Sequence, residues 1–251
     1  MTALAAMILA VQLTGCVTPT PPPAVEKNDA TAATPHRSSR GSGTSYRDGS
    51  VPVIGMAHLR VRLEGEPRLG NPKAKIGIVE FSDYQCPYCS QFHTQIFPRL
   101  VKEYVDTGVV QFIYKDLPLQ SIHPQAMNAA LAANCAGEQN NFWPMHEALF
   151  TNHGLLAPAL YYRLASEFSM DENKFSACLR DPARERAIMR DVSEARRLGI
   201  TGTPSFVIGK IEGDEIKDMR IARGLTAFEA FAQVIENLRA HADPDATSKT
   251  E

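Results

Sequence analysis

Two cysteines separated by two residues carry the clearest chemistry in this sequence. Cys86 and Cys89 enclose Pro87 and Tyr88. At this spacing at the start of a helix, two sulfurs lie close enough to form a disulfide, and such pairs exchange disulfides with other thiols. We therefore predict a redox-active pair at Cys86 and Cys89.

The neighbouring elements predict which sulfur attacks. The apolar run 76–81 is rich in β-branched residues and predicts a buried strand that ends at Ser82. After Cys86, apolar residues recur at helical spacing up to Gly108, namely at Phe92, Ile96, Leu100 and Tyr104. Unpaired N–H groups and the helix dipole favour a thiolate at Cys86, and Pro87 suits the first helical position. Cys86 is thus predicted to attack and Cys89 to resolve the mixed disulfide.

Half a zinc site is the main alternative for this motif. A zinc site needs a second pair of ligands at a suitable spacing. The other candidate ligands are scattered along the chain: Cys135, Cys178, His93 and His146. We therefore expect neither a metal nor another cofactor. We expect His93 to cover the helix rather than tune Cys89.

Two further segments fit an exchange site. Gly202-Thr203-Pro204 precedes a β-branched strand, where a proline that cannot donate to the ladder is tolerated and an X-Pro bond is sometimes cis. Glu80 is a lone carboxylate on the apolar strand. Burial would raise its pKa and let it exchange a proton with Cys89. The alternative is a structural pair with Lys115 on the neighbouring strand.

These segments resemble the DsbA-like branch of the thioredoxin superfamily over roughly residues 66–240. The resemblance is carried by residues 81–89, Phe-Ser-Asp-Tyr-Gln-Cys-Pro-Tyr-Cys, and 199–206, Gly-Ile-Thr-Gly-Thr-Pro-Ser-Phe. Segments 114–119 and 142–146 also look like family segments. The resemblance implies that Pro204 is cis beside the cysteine pair, and that Thr203 offers backbone hydrogen bonds to a substrate strand. It also places an acidic residue at position 80.

Cys135 and Cys178 lie on separate predicted helices. Related helical inserts often carry a disulfide here, and an oxidising compartment favours pairing, so we predict a structural bond. Two buried free thiols, or a second redox-active pair, are the alternatives.

The N-terminus resembles that of a bacterial lipoprotein. Residues 3–13 form a short apolar run, followed by Leu13-Thr14-Gly15-Cys16, which looks like a lipobox. We predict a signal peptide over 1–15 and lipidation of Cys16, although no Lys or Arg precedes the run. A chance match in a cytosolic protein is the alternative.

A polar linker follows the predicted lipid site. Residues 17–50 are rich in Pro, Ala, Ser, Thr and Gly, a composition that cannot bury enough surface to fold. We therefore predict a disordered linker over 16–55. Val17 stands where an Asp would retain such a lipoprotein in the inner membrane. We therefore expect the protein to be anchored in the bacterial cell envelope and to face the periplasm, with the outer membrane favoured.

The order of elements predicts an α/β protein, a thioredoxin-like fold with an inserted helical domain. The thioredoxin-like part covers 56–122 and 199–241, the helical insert 123–198, and a polar tail 242–251. Predicted strands cover 58–63, 76–81, 109–114, 205–208 and 219–222. Predicted helices, besides the one after Cys86, cover 126–136, 142–150, 160–168, 171–179, 183–198 and 226–240.

The bulk composition excludes a nucleic-acid partner. The chain has 251 residues, 26 basic and 28 acidic, with a net charge of −2. The chain therefore lacks the excess of basic residues that binding to a nucleic-acid backbone requires. Expected partners are reduced or misfolded exported proteins and a membrane redox protein that recycles the cysteine pair. The membrane is contacted through the lipid alone, and the protein is expected to be a monomer.

The direction of exchange does not follow from the fold. Isomerases of this superfamily carry a dimerisation domain before the thioredoxin fold, and residues 51–65 are too few for one. The branch is also mostly oxidising, so we predict an oxidase. Tyr88 lacks the charge by which a histidine stabilises a thiolate, so the pair should be less oxidising than DsbA at about −120 mV. A reductase or isomerase, a binding lipoprotein with a structural Cys86–Cys89 bond, and a metal chaperone are the alternatives.

Overall fold

The structure, a computed structural model, describes residues 59–242. The predicted signal peptide, Cys16, the linker and all but the first residue of the predicted tail lie outside the described residues. No helix within 59–242 is long and apolar enough to span a bilayer.

Six strands form one mixed sheet with the order β1-β6-β5-β3-β4-β2. The strands are β1 (Val61–Arg62), β2 (Arg68–Leu69), β3 (Ile76–Ser82), β4 (Val110–Asp116), β5 (Ser205–Glu212) and β6 (Glu215–Arg223). β3 runs parallel to β4 and antiparallel to β5. The edge strand β2 was not predicted, because two residues leave no periodic pattern. β6 begins four residues before the predicted strand.

The central strand β3 is buried on both faces, since all seven of its residues are inaccessible. Side chains alternate between faces along a strand. Ile76 and Ile78 pack with the helix after Cys86 and the C-terminal helix, whereas Val79 and Phe81 pack with the helix before Gly199. The sheet is therefore covered by helices on both sides, as the α/β prediction requires.

The helix after Cys86 is divided, where the sequence predicted one continuous element. It consists of α1 (Pro87–Gln95), α2 (Phe97–Leu100) and a π-helix (Val101–Val105). Pro98 explains the break at Ile96, because proline has no N–H and its ring clashes with the carbonyl four residues before it. In the π-helix the N–H of Asp106 reaches the carbonyl of Val101 at 2.9 Å.

Five α-helices follow β4 and match the predicted runs within two residues. They are α3 (Ala126–Gly137), α4 (Phe142–Thr151), α5 (Pro158–Glu167), α6 (Glu172–Leu179) and α7 (Pro182–Arg197), with a 3-10 turn at His153–Leu155. The carboxylates of Asp171 and Asp181 accept backbone hydrogen bonds at the starts of α6 and α7. The last helix is α8 (Phe228–Ala242). Its Phe231 and Ile235 belong to the same apolar cluster as Phe92 of α1.

Candidate active site

Cys86 is the residue that caps α1. Its backbone is extended (φ −72°, ψ 122°), and Pro87 begins the helix. Hydrogen bonding to the Cys89 side chain, to Thr203 and to the N–H groups of Cys89 and Tyr88 lowers the pKa of Cys86 to about 6, although burial opposes this. The Cys86 thiol is therefore largely ionised at neutral pH.

Cys89 has the opposite environment one turn along α1. It is fully buried. Burial, the neighbouring Cys86 sulfur and the charge of Glu80 raise the pKa of the Cys89 thiol well above its usual value. Both cysteines are free thiols in this structure. One reactive and one protonated thiol on one helical turn is the asymmetry that disulfide exchange needs.

The segment before β5 lies against the reactive sulfur. The Thr203–Pro204 peptide is cis. The Cys86 sulfur is 3.5 Å from the carbonyl oxygen of Thr203. The Ser205 hydroxyl donates to the Gly202 carbonyl at 2.7 Å, and the Pro204 carbonyl accepts from Gly224 N–H at 2.8 Å, so this turn is tied to the end of β6. The structure thus brings together the two segments that the sequence singled out.

Glu80 is buried and contacts a histidine rather than a lysine. Its Oε2 lies 2.8 Å from Nε2 of His93. Burial raises the pKa of Glu80 to about 8, an effect that Ser82 partly offsets. The expectation that His93 merely covers the helix is therefore wrong, because its ring points to the sheet and stacks on Phe150 at 4.1 Å between centroids.

Lys115 is not available to Glu80. The register pairs Glu80 with Tyr114 and Phe81 with Lys115, so Glu80 and Lys115 lie on opposite faces of the sheet. The Lys115 ammonium instead contacts three carboxylates, those of Glu66 at 2.6 Å, Asp191 at 2.9 Å and Glu194 at 3.0 Å. The structural pair considered for Glu80 is therefore wrong.

The sequence did not indicate the role of two buried groups beyond His93. Nε2 of His146 lies 3.4 Å from Nδ1 of His93, and Nδ1 of His146 lies 3.0 Å from the hydroxyl of Tyr84. Only the fact that both residues fall in family-like segments could have drawn attention to them.

The other cysteine pair is bonded in the structure. A disulfide joins Cys135 of α3 to Cys178 of α6, with a Cα–Cα distance of 5.7 Å. Within residues 59–242, no three His, Cys, Asp or Glu side chains form a group that could hold a metal ion. Thiol chemistry is what the geometry around Cys86 supports.

A family model described as Thioredoxin matches residues 62–225. This chain belongs to the thioredoxin family. Within that family its structure resembles that of a DsbA-like protein, Wolbachia pipientis alpha-DsbA1. The two structures share 28% sequence identity with a TM-score of 0.62, over 73% of this chain and 96% of that one. The predicted thioredoxin-like fold is therefore confirmed.

Two curated relatives add to this comparison. The chain is 27% identical to disulfide bond formation protein D of Bacillus subtilis over 62% of this chain and 76% of that protein. It is 35% identical to a Na(+)/H(+) antiporter NhaA 3 of Salinispora tropica over 55% of this chain. The chain spans 21% of the length of that antiporter, and 53% to 59% of the length of several Rickettsia relatives.

Proposed function

We propose that this thioredoxin-family protein forms disulfides in exported proteins, using the pair Cys86 and Cys89. The observation that carries the proposal is the difference between the two thiols. The pKa of Cys86 is lowered to about 6, while that of Cys89 is raised. A stabilised Cys86 thiolate stabilises the reduced pair and so makes the disulfide an oxidant.

In the proposed cycle the pair begins as a disulfide. A substrate thiolate attacks the Cys86 sulfur, the Cys86–Cys89 bond breaks, and Cys89 leaves with the electron pair and takes a proton. The second substrate thiolate then attacks the substrate sulfur of the mixed disulfide and releases Cys86 as a thiolate. Two electrons have passed from the substrate to the pair. A membrane redox partner would remove them to restore the disulfide.

Glu80 is the proposed proton donor for Cys89. Its pKa of about 8 keeps it protonated at neutral pH, and once it is ionised its charge raises the pKa of Cys89. Supplying that proton lowers the barrier to expelling Cys89, because a buried thiolate is a poor leaving group.

The substrate is proposed to bind beside Thr203. An extended strand there would pair with backbone groups next to Cys86, in a form of β-addition. Tyr88 lies beside Cys86 with 59% of its surface exposed and is positioned to contact such a strand. Recognition through the backbone fits an enzyme that accepts many unfolded proteins.

The proposed location in the cell rests on the N-terminal sequence. We propose export, lipidation at Cys16 and a periplasm-facing position in the bacterial envelope, with the outer membrane favoured by Val17. A monomeric domain on a polar linker would meet its substrates as they emerge.

The reduction potential of the pair tests the direction of exchange. The purified chain is equilibrated against glutathione buffers, and the fraction of Cys86–Cys89 disulfide is counted by alkylation and mass measurement. We expect a potential above roughly −200 mV, together with oxidation of a reduced dithiol peptide. A value near −270 mV or below would indicate a reductase or a structural bond and would overturn the oxidase proposal. Cys89→Ala, which cannot form the bond, is the control.

A further inference from the structure

Cys89 needs a proton path as well as a proton donor. Each turnover changes its protonation once in each direction, because Cys89 is a thiol when reduced and a disulfide sulfur when oxidised. Glu80 is fully buried and holds a single exchangeable proton. In the reduced protein both groups hold a proton at neutral pH, since the pKa of Glu80 is about 8 and that of Cys89 is raised. Glu80 must therefore regain through another group the proton that it gives to Cys89, and must release one when the pair is reoxidised.

The neighbours of Glu80 leave one route. Cys89 lies on the α1 side, Ser82 on the same strand, and Tyr84 and Tyr114 are close enough for the charge of Glu80 to raise their pKa. The two tyrosines therefore hold their protons. The remaining titratable neighbour, among the residues that the structure describes, is His93, whose Nε2 is 2.8 Å from Glu80 Oε2.

His93 also reaches the wall of a cavity. The volume of this cavity is about 530 Å³, and its lining includes His93, His146, Leu69, Phe97, Trp143 and Phe150. Charged side chains at the same cavity are Lys102, Asp106 and Glu147. The His93 side chain is 6% exposed, in contrast to the fully buried Glu80. The imidazole therefore stands between the buried acid and a space large enough for water.

His146 holds the second nitrogen of His93 in place. Its Nε2 faces His93 Nδ1 at 3.4 Å, while the Tyr84 hydroxyl holds its Nδ1 at 3.0 Å. Burial lowers the pKa of His93 to about 3, and burial together with the neighbouring His93 holds the pKa of His146 well below its usual value, so both rings are neutral. A neutral imidazole carries one N–H and one acceptor nitrogen, so it can pass a proton on without becoming charged.

We propose that His93 is a proton relay between Glu80 and the cavity, with His146 as the residue that positions it. When Glu80 has given its proton to Cys89, His93 Nε2–H protonates Glu80 Oε2, and His93 Nδ1 takes a proton from water in the cavity that His93 and His146 both line. The reverse transfer removes the proton when the pair is reoxidised. Protons thus reach Cys89 by a route separate from the substrate strand at Thr203.

This inference rests on disulfide exchange at Cys86 and Cys89 but not on its direction. Its test therefore uses dithiothreitol, which reduces the disulfide without a protein substrate. The rate of reduction at pH 7 is followed by acid quench and alkylation, and the equilibrium constant against glutathione is measured in parallel. Loss of dithiol-peptide oxidation alone would overturn the oxidase proposal and leave this test intact.

His93→Ala opens a hole toward the cavity and supports a rescue experiment. We expect the rate to fall by about tenfold, the equilibrium constant to stay within about twofold, and added imidazole to restore the rate in a saturable way while leaving the wild-type chain unaffected. A relay predicts this pattern. A structural role predicts equal changes of rate and equilibrium without rescue.

Two further variants keep the test decisive if His93→Ala is unstable. His93→Gln retains a donor to Glu80 but cannot pass a proton between two nitrogens, so it should be as slow as His93→Ala. His153→Gln, in the 3-10 turn and outside the cavity lining, is the matched control and should reduce at the wild-type rate. A folded His93→Gln that reduces at the wild-type rate would overturn the relay.

Discussion

At the scale of single residues, one helical turn gives two identical side chains opposite chemistry. Hydrogen bonds with the Cys89 side chain, with Thr203 and with the N–H groups at the start of α1 stabilise the Cys86 thiolate. Cys89 lies one turn further in, where the apolar surroundings and Glu80 disfavour charge. Attack and resolution are therefore assigned by position in the helix, without any difference in residue type.

The lowered pKa of Cys86 predicts how pH affects the reduced protein. In the unfolded chain the thiol titrates near 9.0, and in the folded chain near 6. Between these values the unfolded state binds the extra proton, so the reduced form gains stability as pH rises from 6 to 9 and loses it as pH falls through 6. The oxidised form lacks this titration. Thermal unfolding of both forms across this pH range should show that the melting temperature of the reduced form rises relative to that of the oxidised form. A constant difference would contradict the lowered pKa.

Tyr88 predicts how the potential can be tuned. It is largely exposed beside Cys86, and its own N–H contributes to the lowered pKa. Tyr88→His would add a titratable cation beside the thiolate, so we expect the potential to rise by tens of mV, with about 30 mV for each 1.4 kcal/mol. Tyr88→Phe keeps the ring without a charge and should leave the potential near its wild-type value. Equal potentials for the two variants would exclude a charge effect.

At the scale of elements, three segments converge on Cys86. β3 ends where α1 begins, and the turn before β5 lies beside both, because β5 pairs with β3. Pro98 ends the first helical stretch early, so the helix continues only after a break at Ile96. The helical block, which is the inserted segment 123–198 with α3 to α7, packs His146 and Phe150 against His93. The block thus completes the buried side of the site.

The disulfide of the helical block is expected to stabilise without taking part in exchange. It joins positions 43 residues apart on α3 and α6. Replacing Cys135 and Cys178 together with alanine should lower the free energy of unfolding by about 2 to 4 kcal/mol, because the unfolded chain regains its freedom. Denaturant unfolding measures this loss. An unchanged Cys86–Cys89 potential in the same variant is expected, and a large shift would instead indicate a second redox pair.

At the scale of the whole molecule, the proposed enzyme is a folded exchange domain following a linker and a lipid. The domain contains the exchange site. The composition of the linker predicts a flexible chain that sets the distance between the domain and the membrane. Anchoring would keep the enzyme near emerging exported chains and near a membrane partner that recycles it.

Lipidation predicts the fractionation of the protein. Cys16→Ala should remove the acyl attachment and move the protein from the membrane to the soluble fraction of bacteria that process lipoproteins. Incorporation of labelled fatty acid and immunoblotting of both fractions measure this. Cys135→Ala is the matched cysteine control and should stay with the membrane. A wild-type chain that is not labelled would contradict the lipobox prediction.

The sequence by itself determined most of the elements, the reactive motif and the fold class, but not the edge strand β2 or the division of the helix after Cys86. A continuous apolar run located β3, and helical periodicity located the helices, because burial of apolar side chains leaves a local pattern in the chain. The sequence also predicted the helix start at Pro87 and the turn at Gly202-Thr203-Pro204, since both depend on backbone properties of proline.

Only the tertiary structure decided the partners of Glu80. Strand register put Lys115 on the opposite face and left Glu80 to His93 of α1, with His146 of α4 beyond it. Contacts between residues 53 positions apart, such as His93 and His146, have no local signature, because they result from packing of the helical block on the sheet. The proton path therefore could not be read from the chain alone.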